Sequence, residues 1–339
     1  ILPSDTGFWL SDNESTVFLI SNSDIKHSIR LPGTNTGAFM LYSDKEANLW
    51  CCANNRANFL YCIDKHLNIH TYGSAKGIST PVNCIHQSSE GKIYAGGSHD
   101  TAYLFEYNKK TDSFINISHP IAFEHNIPLS VTDFITKADT IYLATNFGLL
   151  KHTKTSTERI LLNDMSTEAV KAIVSDRNGD IWICNSKGLV KLYDGNYYTF
   201  NEKQGLPSKN ISYRCLLAGD SPALWVGTNS GLAFLNKLEP AKKTASPLIK
   251  KLSVDGKILP HEKKIIIDNR SYLDLSFVCP EYPGEDISYQ KMISDIDTNW
   301  TNLERTRHLF VPRLESGEYS IKIRARKPGN YNWSESTAI

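Results

Sequence analysis

No run of apolar residues in this 339-residue chain approaches the roughly 18 that a membrane-spanning helix requires. Charge of neither sign dominates: 37 Lys and Arg stand against 36 Asp and Glu, a formal balance of +1. A chain without a net field has no general attraction for nucleic acid, anionic lipid or an acidic polymer, so a partner must be recognised locally. Nucleic-acid contacts are not expected. The seven cysteines, Cys51, Cys52, Cys62, Cys84, Cys184, Cys215 and Cys279, include no C-x-x-C and no histidine at zinc-finger spacing. Buried structural thiols are the expectation; one disulfide is left open, because spacing selects no pair. His66 and His70, four apart on one strand, would lie about 13 Å from each other, too far for one ion to bridge. No metal and no cofactor is expected. His99-Asp100 lacks a paired Ser, Cys or second positioned carboxylate, so no catalytic residue is assigned. Residues Ile1 to Leu10 carry no basic stretch followed by an apolar one, and any secretion signal is expected upstream or removed.

With 40% apolar and 22% charged residues the chain is globular in composition, and it is long enough for one large domain and one small one. Aromatic anchors in short apolar runs fall at Trp9, Trp50, Tyr94, Tyr142, Trp182 and Trp225, separated by 41, 44, 48, 40 and 43 residues. That period is the length of a four-stranded propeller blade. The clearest unit runs from Ala169 to Phe200. Alternating Val170, Ala172 and Val174 give one strand and Asp176-Arg177-Asn178-Gly179 a Gly-closed turn. Ile181-Trp182-Ile183, Leu189 to Tyr193 and Asn196 to Phe200 complete it, with turns at Asn185–Gly188 and Asp194-Gly195. A sheet this small cannot bury both faces alone, so the units must stack, with the large aromatic of each second strand as core between them.

The first unit reads as beginning at its second strand and the last as stopping near Asn236, so about six blades are visible and the ring reads as incomplete. Two alternatives follow: the chain ends share one blade, or further repeats precede Ile1. Residues 1–238 are assigned to blades and 239–246 (EPAKKTAS) to a linker. From 247 to 339 the period is lost while strand patterns continue at Leu248–Val254, Ile265–Ile267, Leu273–Val278, Ile287–Ile293, His308–Val311 and Tyr319–Ala325. An immunoglobulin- or fibronectin-like β-sandwich is expected, without the Cys-Trp-Cys spacing of an antibody domain. The fold class is therefore all-β, a β-propeller followed by a β-sandwich.

Asp176-x-x-Gly179-x-Ile181-Trp182-Ile183 followed by Gly188-Leu189 resembles the two-component-regulator propeller repeat, and Leu224 to Leu232 matches its second half. Gly205 to Ile211 is similar to that family's inter-blade segment. The last module resembles the triple-tyrosine (Y_Y_Y) domain at Tyr289, Trp300, Phe310, Leu314, Gly317, Tyr319, Arg324-Ala325 and Trp333. In that order the two modules resemble the extracytoplasmic sensor of hybrid two-component systems in Bacteroides-like bacteria. The resemblance implies a periplasmic location, an oligosaccharide ligand and a homodimer. It further implies a downstream membrane helix, outside this chain, that leads to a histidine kinase controlling transcription of polysaccharide-utilisation genes. Catalytic activity would then belong to residues outside this chain.

In such a blade the connector into the inner strand and the turn between strands two and three open on one face. Among residues there, Arg56, His99, Asp100, Asn146, Phe147, Lys187 and Asn229 are candidates for binding a polar ligand. Convergent hydrogen-bonding groups and one aromatic surface suit a sugar. The competing reading is that turns favour Asn, Asp and Ser for backbone reasons alone. Two other functions stand against a sensor. A glycan-active propeller enzyme would usually carry a Ser-x-Asp-x-Gly-x-Thr-Trp box, and a WD40 or kelch scaffold Gly-His and Trp-Asp signatures; neither pattern is present.

Overall fold

The computed structural model describes all residues except 34–36, 54–57, 122–126, 162–167, 194–195, 220–222, 236–243, 261–264, 282–286, 304–305 and 328–331. The chain divides into two compact units, Ile1–Lys191 with Asn201–Lys237, and Leu192–Phe200 with Leu238–Ile339. Among the described residues the only helical segments are one-turn 3-10 pieces at Ser74–Lys76 and Glu202–Gln204, and no helix is long and apolar enough to cross a membrane.

Six antiparallel meanders follow one another along the chain. The first holds β1 (Leu2–Ser4), β2 (Gly7–Ser11), β3 (Thr16–Ser21) and β4 (Asp24–Arg30); the second β5 (Met40–Ser43), β6 (Leu49–Cys52), β7 (Asn58–Ile63) and β8 (Ile69–Gly73). The third holds β9 (Val82–Gln87), β10 (Ile93–Gly97), β11 (Leu104–Asn108) and β12 (Ser113–Asn116); the fourth β13 (Val131–Lys137), β14 (Thr140–Thr145), β15 (Gly148–His152) and β16 (Thr157–Arg159). The fifth holds β17 (Ala172–Ser175), β18 (Ile181–Asn185), β19 (Gly188–Tyr193) and β20 (Asn196–Phe200); the sixth β21 (Ile211–Ala218), β22 (Leu224–Thr228) and β23 (Gly231–Leu235). The first strands β9, β13, β17 and β21 pack side by side, as the inner strands of a propeller do. The expectation that the first unit lacks its first strand is corrected: β1 pairs with β2, Leu2 opposite Trp9. Leu2–Ser4 is only three residues long and carries no aromatic to mark it in the sequence.

One local device recurs in the hairpins. Asp44, Asp64 and Asp176 each accept, through Oδ1, the backbone N–H groups two and four residues on, at 2.8 to 2.9 Å. Asp12 does the same with Glu14 and Thr16 at 2.8 Å. The fourth residue of each turn is forced to positive φ: Ser15 (74°), Ala47 (64°), Leu67 (66°) and Gly179 (79°). The other carboxylate oxygen of Asp44 and Asp176 accepts the indole N–H of Trp50 (2.9 Å) and Trp182 (2.8 Å), six residues later. The Asp, the Gly and the Trp of the repeat are thus one hydrogen-bonded unit. It satisfies the indole N–H that the sheet would otherwise bury.

The pinned aromatics fill the space between sheets. Trp50 is buried against Tyr72 of its own sheet and against Tyr107 and Phe114 of the third, with centroids 5.4 to 6.0 Å apart. Asp112 accepts the hydroxyls of Tyr72 (2.8 Å) and Tyr107 (2.9 Å) at the edge of that cluster. Trp182 and Tyr94 are likewise buried. Trp225 departs from the expected core role and is 39% exposed, because the cross-strand row Leu217–Trp225–Phe234 of the sixth sheet stays open.

In the second unit, β24 (Leu248–Val254), β25 (Lys257–Ile258), β26 (Leu273–Val278) and β29 (His308–Val311) form one sheet, ordered β25-β24-β26-β29. The other holds β27 (Ser288–Ile293), β28 (Thr301–Asn302), β30 (Ile321–Arg326) and β31 (Thr337–Ala338), ordered β28-β27-β30-β31. Leu252, Leu275 and Phe277 of the first sheet and Tyr289, Ile293 and Ile323 of the second share one core, which makes a β-sandwich. Tyr289 crosses it, its ring 5.0 Å from Phe277 and its hydroxyl accepting the Cys279 N–H. Ile265–Ile267, expected as a strand, is irregular. The expected linker falls largely outside the described residues.

All seven cysteines are free thiols, and all but Cys215 are buried. Burial pushes Cys52 and Cys184 up to about 12 and Cys279 to about 11. His66 lies in the Asp64 turn, and His70 bonds Asp64 at 3.3 Å rather than facing a second ligand.

Leu67→Gly should stabilise the protein by about 1 kcal/mol and Gly179→Ala should destabilise it by a similar amount, since only glycine adopts positive φ freely. Urea midpoints of the two variants check this. A maleimide at neutral pH should label only Cys215 in the native protein and all seven cysteines after denaturation, counted by mass spectrometry.

Candidate ligand-binding face

The connector into each inner strand and the turn between the second and third strands meet on one face, as antiparallel meanders require. Asp100 accepts the Leu129 N–H at 2.8 Å. Asn146 accepts the Ser130 N–H at 2.8 Å and donates to the Pro128 carbonyl at 3.0 Å. Ser98 and Ser130 share a hydroxyl contact of 2.9 Å and a backbone bridge. On the sixth sheet the Asn229 N–H donates to the Asn210 carbonyl at 3.0 Å, and its side-chain oxygen accepts from Ser212 at 3.2 Å.

The sequence-derived candidates therefore divide. His99, Asp100 and Asn146 gather around residues 128–130, and Asp100 and Asn146 use their polar atoms to hold that connector. The exposed His99 ring is engaged by Thr101 at 3.2 Å. Lys187 is exposed on the fifth sheet and its N–H donates to the Asn185 side chain at 2.9 Å, while Asn229 belongs to the sixth. Arg56 lies outside the described residues. Phe147 is corrected: it is 7% exposed and packs with Leu129, Val131 and Phe134, so it offers no stacking surface to a ligand. Its turn position suggested exposure, but Thr145 Oγ1 accepts its N–H and folds the ring inward.

A second set, at or just before the starts of the inner strands, was not singled out in the sequence. Phe39 (second sheet), Asn83 (third), Thr132 (fourth), Lys171 (fifth) and Tyr213-Arg214 (sixth) occupy comparable places. Arg214 Nη2 donates to the Asn83 and Thr132 carbonyls, and Nε to Thr132 at 3.2 Å. Its guanidinium stands 5.9 Å from the Phe39 ring centroid. Asn83 Nδ2 reaches Ser98 (2.7 Å), Ser130 (3.1 Å) and the Val131 carbonyl (3.0 Å). Lys171 Nζ donates to the Ile211 carbonyl at 3.2 Å and lies 5.9 Å from the Tyr213 ring. Arg214 gains this reach because β21 breaks register between Ile211 and Leu216, with Arg214 at φ 53°. Tyr213 (63%) and Phe39 (49%) remain exposed beside the two cations. The available signal was a Lys and an Arg in runs otherwise read as inner strands.

This arrangement offers two aromatic faces, an ammonium, a guanidinium and an amide near the convergence of the inner strands. It can bind a polar ligand by stacking and hydrogen bonding. Among the described residues no three His, Cys, Asp or Glu side chains are grouped to hold a metal ion.

No protein-family model matches the chain, and no curated protein sequence matches it. Solved structures do. The extracellular domain of a putative hybrid two-component system from B. thetaiotaomicron is similar over 97% of this chain and 47% of its own, at TM-score 0.67 and 18% identity. PorZ, a surface component of the type-IX secretion system of Porphyromonas gingivalis, is similar over 100% and 50%, at TM-score 0.58 and 13% identity. Virginiamycin B lyase from Staphylococcus aureus is similar over 70% and 83%, at TM-score 0.52 and 12% identity. The chain spans about half the length of the first two. At these identities the likeness is one of fold, a propeller, and with the first two it extends over nearly the whole chain.

Hydrogen bonds from a charged donor contribute roughly 1.5–3 kcal/mol each, and the carbonyls of Asn83 and Thr132 would lose this part-buried partner. Arg214→Met should therefore lower propeller stability by about 2–4 kcal/mol. Arg214→Lys should recover only part, since an ammonium lacks the planar fork. Urea unfolding followed by tryptophan fluorescence checks both, and a loss below about 0.5 kcal/mol would show that the guanidinium does not hold these strands together.

Proposed function

We propose that this chain is the membrane-proximal portion of the extracytoplasmic, periplasmic sensor of a hybrid two-component receptor, and that its ligand is an oligosaccharide. The observation that carries the reading is the order of modules, propeller then sandwich, shared over 97% of the chain with an extracellular domain of that kind. The ring of Phe39, Asn83, Lys171, Tyr213 and Arg214 supports a sugar ligand, whose C–H faces stack on aromatics while its hydroxyls take hydrogen bonds. Under this reading the chain binds and does not catalyse. The kinase, the membrane helix and the control of transcription belong to polypeptide outside it, and the receptor works as a homodimer. Binding becomes signalling only if the ligand distinguishes two arrangements of the receptor, shifting their populations by its difference in affinity.

Calorimetric titration with defined oligosaccharides, on this chain and on one extended upstream, tests the reading. Saturable heat with at least one oligosaccharide is expected, and Tyr213→Ala should weaken binding roughly ten-fold. The absence of heat with both proteins across the panel, or the release of new reducing ends or unsaturated sugars during incubation, would overturn it. Release of such products would favour an enzyme instead.

A further inference from the structure

Between the third and fourth sheets lies a cavity of about 390 Å³, in the size range of small-molecule sites. It is bordered by the β9–β10 and β13–β14 turns, at the opposite ends of the sheets from the face described above. No part of the proposed oligosaccharide face lines it.

Its distinguishing group is His152, the last residue of β15, which is 4% exposed. His152 Nδ1 is engaged by Thr157 Oγ1 at 2.7 Å, while Nε2 has no partner among the described residues. The ring stacks on His119, centroids 4.9 Å apart and planes 26° from parallel. His119 is itself fixed, its Nε2 donating to the Thr153 carbonyl at 3.0 Å and its own carbonyl accepting the Tyr103 hydroxyl at 2.8 Å. His152 Nε2 is not among the sealed polar atoms that lack a partner, so it is open to water at the cavity, where a ligand hydroxyl can take the water's place. Burial, with His119 beside it, pulls His152 down to about 4, so the imidazole is neutral at physiological pH. A neutral ring nitrogen either donates or accepts according to tautomer, and a hydroxyl satisfies both cases.

The charged groups of the lining restrict the ligand further. Lys92 pairs with Glu106 at 3.2 Å and Lys154 with Asp139 at 3.4 Å, and Glu90 adds a third carboxylate. Three carboxylates against two ammonium groups disfavour an anion. Tyr94, Ile117 and Ile141 supply apolar wall for C–H groups.

We propose that this cavity is a second binding site, for an uncharged polyhydroxyl molecule of monosaccharide size, docked on the stacked His119–His152 pair between the third and fourth sheets. The inference does not depend on the oligosaccharide face.

Histidine-ring NMR on the intact chain tests it, with glucose, mannose, galactose, N-acetylglucosamine and myo-inositol as neutral probes and glucuronate as the anionic comparator. Each probe is titrated to about 50 mM, to reach millimolar affinities. The His119 and His152 ring signals should shift saturably with at least one neutral probe, and glucuronate should bind roughly ten-fold more weakly or not at all. His152→Phe should abolish the shift of the His119 signal. Thr136→Trp, which fills the cavity from a half-exposed position, should do so while leaving the melting temperature unchanged, and serves if His152→Phe fails to fold. Tyr213→Ala, on the opposite face, should leave the shifts intact. No saturable shift with any neutral probe, glucuronate binding as tightly as the best neutral probe, or shifts that survive Thr136→Trp would each overturn the proposal. Loss of oligosaccharide heat in Tyr213→Ala with these shifts retained separates the two sites.

Discussion

A single carboxylate in a five-residue turn underlies the propeller. Asp44 and Asp176 each hold two backbone N–H groups of their turn and the indole N–H of the tryptophan that follows. The turn fixes the hairpin register, and the indole bond fixes how the large ring leaves the sheet. Without that bond, burying Trp50 or Trp182 would leave an indole donor unsatisfied in an apolar interface. With it, the ring becomes a rigid wedge against the neighbouring sheet. Where the sequence departs from the pattern the chemistry is replaced locally: Ser88 stands six residues before Tyr94, with its hydroxyl accepting the Lys92 N–H at 3.2 Å. Tyrosine, having no indole N–H, needs no carboxylate at that place.

Stacked sheets bring the inner strands close enough for one long side chain to reach several of them. Arg214 does so, and the strained, bulged backbone around it is the local cost of that reach. Its hydrogen bonds go to backbone carbonyls, so they do not depend on the identities of Asn83 and Thr132. The polar side chains at the turns play a different part from the one their chemistry suggests. Asp100 and Asn146 spend their hydrogen-bonding capacity on connectors, whereas the rings of Tyr213 and Phe39 stay exposed. Under the proposed function, the ligand face rests on these hydrogen-bonded connectors.

The same contrast separates His86 from His152. His86 is consumed by structure, its Nε2 2.7 Å from the buried carboxylate of Asp133 and its ring against Tyr42 and Phe134. His152 is more enclosed, at 4% exposure, yet keeps one nitrogen uncommitted beside a cavity. In the sandwich, Tyr289 is the counterpart of the propeller tryptophans: a large ring in the core with its polar atom tied to backbone.

The amino-acid sequence by itself determined the period, the all-β architecture and the Asp-x-x-Gly turns, because each of these is a local rule of hydrogen bonding or alternation. It also determined which face the turns and connectors share, since antiparallel meanders permit no other arrangement. It did not determine that Phe147 turns inward, that Trp225 stays exposed, or that Ile265–Ile267 forms no strand, because burial depends on what packs against a residue. Only the tertiary structure brought Arg214 to carbonyls 82 and 131 residues earlier in the chain, and stacked His119 on His152 beside a cavity. Contacts at such separations have no period to betray them, since they arise where sheets converge and not where the chain repeats.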